Sequence, residues 1–147
     1  MNKVFTIGFT KISAEKFFSI IKTNEISLLV DVRLNNTSQL AAFSKYPDIV
    51  FFLKEICNCD YKHEEFFAPK KYTLSLYKKK IIDWNKYVDE FSETMENRQI
   101  KDYIEKNYNN DQDICLLCSE PTPKFCHRRL IAELFLEVFP RKTIVHL

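Results

Sequence analysis

Glycine is almost absent from this chain of 147 residues, with Gly8 as its single example. Phosphate-binding loops of the G-x-G-x-x-G and Walker types need several glycines, because the backbone must turn tightly and approach the phosphate closely. The sequence therefore argues against ATP hydrolysis by a Walker loop and against dinucleotide binding by a Rossmann fingerprint.

Excess charge and long apolar runs are scarce as well. The net charge is only +2 at pH 7, so no overall field favours nucleic acid or a membrane surface. No apolar run reaches the length of a membrane span, and residues 1–13 lack the apolar core of a signal peptide. The five cysteines, an odd number, fit a reducing compartment better than a secreted disulfide framework. We expect a cytoplasmic protein that does not contact a membrane.

Hydrophobic residues make up 46% of the chain, with 13 phenylalanines, and can form one core. Without repeats or linkers, residues 1–147 are expected to form a single domain. Short apolar runs alternate with amphipathic segments, which predicts an α/β fold with a mainly parallel sheet of about four or five strands flanked by helices. Strands are predicted at 3–9, 26–33, 60–66, 113–118 and 143–147; helices are predicted after Ser13, over 48–57, twice across 83–107, and before the last strand.

Polar side chains follow several of these predicted strands. In open parallel sheets, ligand sites form beside the carboxyl ends of the strands. Guanidinium groups suit phosphate or carboxylate, because their forked donors match two oxygens at once. We therefore predict a site for a small anionic substrate, with these substrate-binding residues: Thr10, Asp31, Arg33 and Arg128.

The densest group of reactive residues lies in "LLCSEPTPKFCHRRLIAELF", residues 116–135. Cys115 and Cys118 have C-x-x-C spacing, and Cys126 with His127 could complete a tetrahedral metal site. However, "DICLLC" is typical of a strand, in which residues three apart point to opposite faces. We therefore predict no metal and no other cofactor.

Cysteine chemistry is the alternative for this stretch. Thr122 and Pro123 are predicted as the N-cap and first residue of a helix, which would place Cys126 and His127 near its first turn. A helix dipole there favours a thiolate. A Cys-x5-Arg loop is disfavoured, because Lys124 stands six residues after Cys118. The predicted catalytic residues, acting as a nucleophile with a base or as a redox pair, are Cys118, Glu120, Cys126 and His127.

Four segments together resemble one known family: "TIGF", "LLVDVR", the 116–135 stretch and the closing "IVHL". In this order they are similar to the domain of unknown function 488 family, small cytosolic and mostly prokaryotic proteins. The resemblance implies that family's fold and a site at the matching positions, which are Gly8, Asp31, Arg33, Cys118, Glu120, Cys126, His127 and Arg128. The family usually has a His-Ser pair after the first glycine, where this chain has Phe9 and Thr10.

A lysine-rich and aromatic segment, residues 69–87, favours a different function. Lysines neutralise phosphates and aromatic faces stack on unpaired bases, so the segment could bind nucleic acid without catalysis. Alternatively, the lysines are solvated and the aromatic rings pack inward. The candidate nucleic-acid-binding residues are Lys70, Lys71, Lys78 and Lys80, extended if the fold allows by Arg128, Arg129, Arg141 and Lys142.

A third interpretation is structural. Arg33 and Arg128 would pair with Asp31 and Glu120 in a buried ion network that fixes the strand ends, since an unpaired buried charge is costly. An enzyme, a binding module and a structural network therefore remain open from sequence.

Overall fold

The computed structural model describes residues 2–37, 41–120 and 122–147. Within these residues, five parallel strands form one sheet flanked by six α-helices, which confirms the predicted α/β class. The strands are β1 Lys3–Gly8, β2 Leu28–Asp31, β3 Asp60–His63, β4 Ile114–Cys118 and β5 Thr143–His146. The α-helices are α1 Ala14–Thr23, α2 Asp48–Cys57, α3 Lys71–Lys78, α4 Trp84–Asn97, α5 Ile100–Asn107 and α6 His127–Val138, and short 3-10 turns occupy Ala42–Ser44 and Glu65–Phe67.

The strand order is β3-β2-β4-β1-β5, so β4 lies at the centre of the sheet. Gly8 is in register with Cys118, and Asp31 is in register with both Leu117 and His63. Because the strands are parallel, their carboxyl ends lie along one edge of the sheet. We call this edge the rim; Gly8, Asp31, His63 and Cys118 meet there.

Two hydrophobic cores lie on the two faces of the sheet. Side chains alternate along a strand, so Ile114, Leu116 and Cys118 of β4 join the core beneath α4, α5 and α6. Cys115 and Leu117 join the other core, beneath α1 and α2. The expectation that Cys115 and Cys118 point to opposite faces is therefore confirmed.

Helix α1 begins where its cap predicts, because Ser13 Oγ accepts a hydrogen bond of 3.1 Å from the Lys16 amide. The predicted start of the last helix at Thr122 and Pro123 was wrong. The segment first closes a turn in which the Cys126 amide donates to the Pro123 carbonyl at 3.3 Å. Cys126 then has extended dihedral angles, φ −135° and ψ 138°, and is itself the N-cap of α6.

Smaller differences concern segments with weak patterns. Strand β3 ends at His63, not at residue 66, because a 3-10 turn begins at Glu65. Helix α3 forms inside the lysine-rich segment. In the part of the chain that is described, no helix is long and apolar enough to cross a membrane.

Candidate active site

Two cysteines and a histidine converge at the centre of the rim. The end of β4 supplies Cys118, and the start of α6 supplies Cys126 and His127. One donor atom from each of the three side chains lies within 4.8 Å of the other two. All three residues are buried, at 5%, 3% and 6% exposure in that order. Three of the four predicted catalytic residues are thus together, and we call them the thiol–histidine cluster.

The His127 ring is held in one orientation by a backbone carbonyl. Its Nε2 lies 2.7 Å from the Val32 carbonyl oxygen, which can only accept a hydrogen bond, so Nε2 must donate. In the neutral ring this leaves the lone pair on Nδ1, which lies 3.7 Å from Cys118 Sγ. Cys118, His127 and Val32 therefore have the arrangement of a nucleophile, a base and a group that orients the base.

The electrostatics of the cluster favour a thiolate on Cys118. A hydrogen bond from Cys126 and the nearby His127 hold the pKa of Cys118 well below its usual range, although burial opposes them. The same hydrogen bond, followed by burial, raises the pKa of Cys126, which stays a thiol. Burial alone would lower the pKa of His127, but the charge and hydrogen bond of Cys118 raise it. Both shifts favour a thiolate on Cys118 beside a protonated His127.

The other three cysteines have the opposite property. Burial raises the pKa of Cys57 and of Cys115, and raises that of Cys59 to about 12. These thiols behave as small hydrophobic side chains. Cys115 is the closest comparison, since it lies in the same strand as Cys118, fully buried on the other face.

Arg33 lies on that opposite face, tied to a buried carboxylate. Its Nε donates to Asp31 Oδ1 at 2.9 Å, and its Nη2 donates to Asp31 Oδ2 at 2.8 Å. Nη2 also donates to the Ser44 carbonyl at 2.7 Å, and the Phe9 ring lies 5.1 Å from the guanidinium carbon. Tyr61 donates to the same carboxylate. The predicted pairing of Asp31 with Arg33 is present, but these donors are already occupied.

Arg128, unlike Arg33, keeps donors without a partner. It is fully buried beneath the start of α6, and its Nη1 donates to the Glu120 backbone carbonyl at 2.6 Å. Its Nε and Nη2 have no hydrogen-bond partner, and no carboxylate of residues 2–37, 41–120 or 122–147 forms an ion pair with it. The predicted pairing of Arg128 with the Glu120 side chain was wrong, because that side chain is exposed.

The loop after β4 presses against the end of β1. A Cβ on Gly8 would lie 1.8 Å from the Glu120 carbonyl oxygen and 3.1 Å from Arg128 Nη1. Thr10 donates to the Ser119 carbonyl from its amide, at 3.3 Å, and from its hydroxyl. Gly8 thus permits the approach of the two loops, and the two hydrogen bonds of Thr10 join them.

Residues 13–135 match the family described as Domain of unknown function DUF488. The chain belongs to the DUF488 family. Comparisons with curated proteins and with solved structures found no match. The matched range includes both the Arg33–Asp31 pair and the whole thiol–histidine cluster of this DUF488 protein.

An aromatic wall covers the cluster in the DUF488 chain. Phe125 contacts Trp84 at 5.6 Å between ring centroids, Trp84 stacks on Tyr87 at 5.2 Å, and Phe91 lies 5.8 Å from the His127 ring. Burial, followed by Cys118 and Cys126, raises the pKa of Tyr87. A cavity of about 350 Å³ lies between α1 and α2, on the other face of the sheet. A second cavity, of about 580 Å³, is lined by α4, α5 and α6 and includes Phe91, whose ring contacts His127.

In the lysine-rich segment, residues 69–87, three aromatic rings pack together, as expected if the segment only contributes to packing. Tyr77, Trp84 and Tyr87 pack against one another, whereas the candidate nucleic-acid-binding residues are all exposed: Lys70, Lys71, Lys78 and Lys80. The proposed extension through Arg128 and Lys142 was wrong, because both side chains are buried. Lys142 instead donates to the backbone carbonyls of Asn110 and Gln112.

Sequence reasoning missed the groups that orient the predicted residues. The Val32 carbonyl orients His127, and Ser44 with Tyr61 completes the surroundings of the Arg33–Asp31 pair. A backbone carbonyl has no sequence signal. Tyr61 lies in β3, the strand that pairs with the strand of Asp31. Its position relative to Asp31 depends on the register of β3 in the sheet, which the local sequence pattern does not determine.

Proposed function

We propose that this DUF488 protein is a thiol-dependent enzyme in which Cys118 is the nucleophile and His127 its base. The proposal depends on two contacts of the His127 ring: Nδ1 lies beside Cys118 Sγ, and Nε2 donates to the Val32 carbonyl. A histidine that only filled space would not need a thiol on one nitrogen and an orienting acceptor on the other.

The chemistry follows from these contacts. Cys118 gives its proton to Nδ1 of His127, and the resulting imidazolium keeps its Nε2–H on the Val32 carbonyl. Cys126, whose pKa is raised, stays a thiol, and its sulfur lies within 4.8 Å of the Cys118 sulfur. Attack of the Cys118 sulfur on an electrophilic centre forms a covalent bond, and the proton on Nδ1 passes to the leaving group. Glu120, exposed on the adjoining loop, faces solvent and has no role in this step.

We assign the substrate an anionic group held by Arg128. Two of its donors are unpartnered inside the protein, and a buried guanidinium without an anion is unfavourable. It also occupies the first turn of α6, where the helix dipole favours negative charge. Arg33 is better described as a positioning residue, because Asp31 and Ser44 already occupy its donors.

Differential alkylation tests the nucleophile. Iodoacetamide at pH 7 should modify Cys118 at least 10-fold faster than Cys115, the matched buried thiol of the same strand, because an ordinary thiol is only a few per cent ionised at that pH. His127→Gln should remove most of the difference, while its amide can still donate to the Val32 carbonyl. Peptide mass spectrometry gives both rates in one sample.

The anion requires its own measurement. Inorganic phosphate should slow the alkylation of Cys118 in the wild type and leave the rate unchanged in Arg128→Met. Equal labelling of Cys118 and Cys115, in protein whose circular dichroism is native, would exclude the nucleophile. Phosphate protection that survives in Arg128→Met would exclude this residue as the anion site.

A second candidate function, binding of single-stranded nucleic acid, is favoured by one exposed residue. Tyr72 is 74% exposed and directly follows Lys70 and Lys71 at the start of α3, so a base could stack there between basic side chains. Binding of a labelled oligonucleotide should weaken steeply with salt and be lost in Tyr72→Ala combined with Lys71→Ala. A response to salt that is flat would exclude binding through phosphates.

A further inference from the structure

We propose that Cys118, Cys126 and His127 form a binding site for one zinc ion, with a fourth position for a ligand from outside the chain. The sequence argument against zinc concerned the pair Cys115 and Cys118, which do point to opposite faces. It did not address the set that the fold assembles, in which Cys126 reaches Cys118 from the start of α6.

The spacing of the three side chains suits tetrahedral zinc. Bonds of about 2.3 Å to sulfur and 2.0–2.1 Å to nitrogen place two sulfurs about 3.8 Å apart and a sulfur and a nitrogen about 3.5 Å apart. The observed distance from Cys118 Sγ to His127 Nδ1 is 3.7 Å, and all three donor atoms lie within 4.8 Å of one another. A shift of roughly 1 Å or less by Cys126 completes the geometry.

The histidine ligand already has an outer hydrogen bond. The Nε2–H of His127 donates to the Val32 carbonyl at 2.7 Å, which leaves the Nδ1 lone pair facing Cys118 Sγ at 3.7 Å. Such a partner orients the ligand of a metal centre and is usual around zinc.

Charge balance and ligand type select the metal. Two thiolates neutralise a divalent ion, so the loaded site adds no net charge to a buried region. Thiolate and imidazole together suit zinc and are poor ligands for magnesium or calcium. Within the described ranges, no further Cys, His, Asp or Glu belongs to the group, so the fourth position is left for water or a substrate atom. Open positions of this kind are typical of catalytic zinc sites.

The zinc site does not depend on Cys118 being a nucleophile. It would use the same three residues as metal ligands. A zinc ion would bind the sulfur lone pairs that Cys118 needs for attack, so one molecule cannot use both at once. Zinc occupancy would therefore block the thiol reaction and replace it with Lewis-acid chemistry at the fourth position.

Cobalt substitution tests the site. The full chain, reduced and treated with a chelator, should develop a thiolate-to-cobalt charge-transfer band and strong visible bands that saturate at one equivalent of Co²⁺. Zinc should abolish them stoichiometrically. Cys118→Ser, Cys126→Ser and His127→Gln should each weaken cobalt binding on the order of 100-fold or more, since even outer partners contribute 10–100-fold. Cys115→Ser, a buried cysteine of the same strand, should leave the bands intact.

A second measurement needs no variant. Zinc should slow the alkylation of Cys118 and Cys126 together in the wild type, while the half-buried Cys57 reacts at an unchanged rate. Absence of the cobalt bands at one equivalent, or bands that persist in both cysteine variants, would overturn the zinc site. If metal-free protein binds no cobalt but Cys118 is still alkylated fast, the zinc site would be excluded and the proposal that Cys118 is a nucleophile would remain supported.

Discussion

Replacing Gly8 with alanine tests how tightly the loop after β4 is held against β1. The added Cβ would lie 1.8 Å from the Glu120 carbonyl oxygen, a backbone atom that cannot rotate away, so the loop must move. Overpacking of this kind costs about 1–3 kcal/mol. The displaced carbonyl also leaves Arg128 Nη1, and a hydrogen bond to a charged group contributes about 1.5–3 kcal/mol.

The free energy of unfolding should therefore fall by roughly 3–5 kcal/mol in Gly8→Ala. For a chain of this length, 1 kcal/mol shifts the melting temperature by about 2–4 °C, so the loss should be on the order of 10 °C. Gly8 does not have a positive φ, so backbone strain adds nothing. Differential scanning fluorimetry measures the shift, with Ser19→Thr as a control that adds one methyl group on the exposed face of α1. A melting temperature within 2 °C of the wild type would refute the packing argument.

Two further predictions compare buried with exposed charges by urea denaturation. Arg33→Met should lower the free energy of unfolding by about 3–5 kcal/mol, because it leaves the carboxylate of Asp31 buried and unpaired. Arg128→Met loses the hydrogen bond from Nη1 to the Glu120 carbonyl, but it also removes a buried guanidinium whose other donors are unpaired, so its net loss should stay below about 1 kcal/mol. Equal losses in the two variants would show that Arg128 has an anionic partner in the free protein. Asp60→Asn should change stability by less than about 1 kcal/mol, since its ion pair with Lys54 is exposed, and a larger loss would contradict that estimate.

Several features of the fold could be predicted from the sequence because they depend on local periodicity. The apolar runs that became β1, β2 and β4 are too short for helices, and they end in Gly8, Asp31 and Cys118. Their parallel arrangement follows from the helices between them and brings Asp31 and Cys118 to the rim. The family resemblance then indicated which of the rim residues to consider together.

What could not be predicted depends on packing between distant segments. Thr122 and Pro123 had the residue types of a helix start, yet the chain had to complete a turn before α6 could begin at His127. Arg128 was expected to bind an anionic ligand or to pair with Glu120 in a buried network, but not to be fully buried with two donor nitrogens unpartnered. Arg33 was expected beside Cys118, but its side chain is bonded to Asp31 and to the Ser44 carbonyl, and that contact depends on where the 3-10 turn Ala42–Ser44 packs.

The single tryptophan of the chain lies in the aromatic wall beside the cluster. Trp84 contacts Phe125, the residue before Cys126, and stacks on Tyr87, whose pKa is raised by burial and then by Cys118 and Cys126. The tryptophan fluorescence of this protein therefore originates from one side chain next to the thiol–histidine cluster. Occupation of the cluster, or movement of the loop above it, should change the emission without any attached dye, so stopped-flow mixing could follow each event in real time.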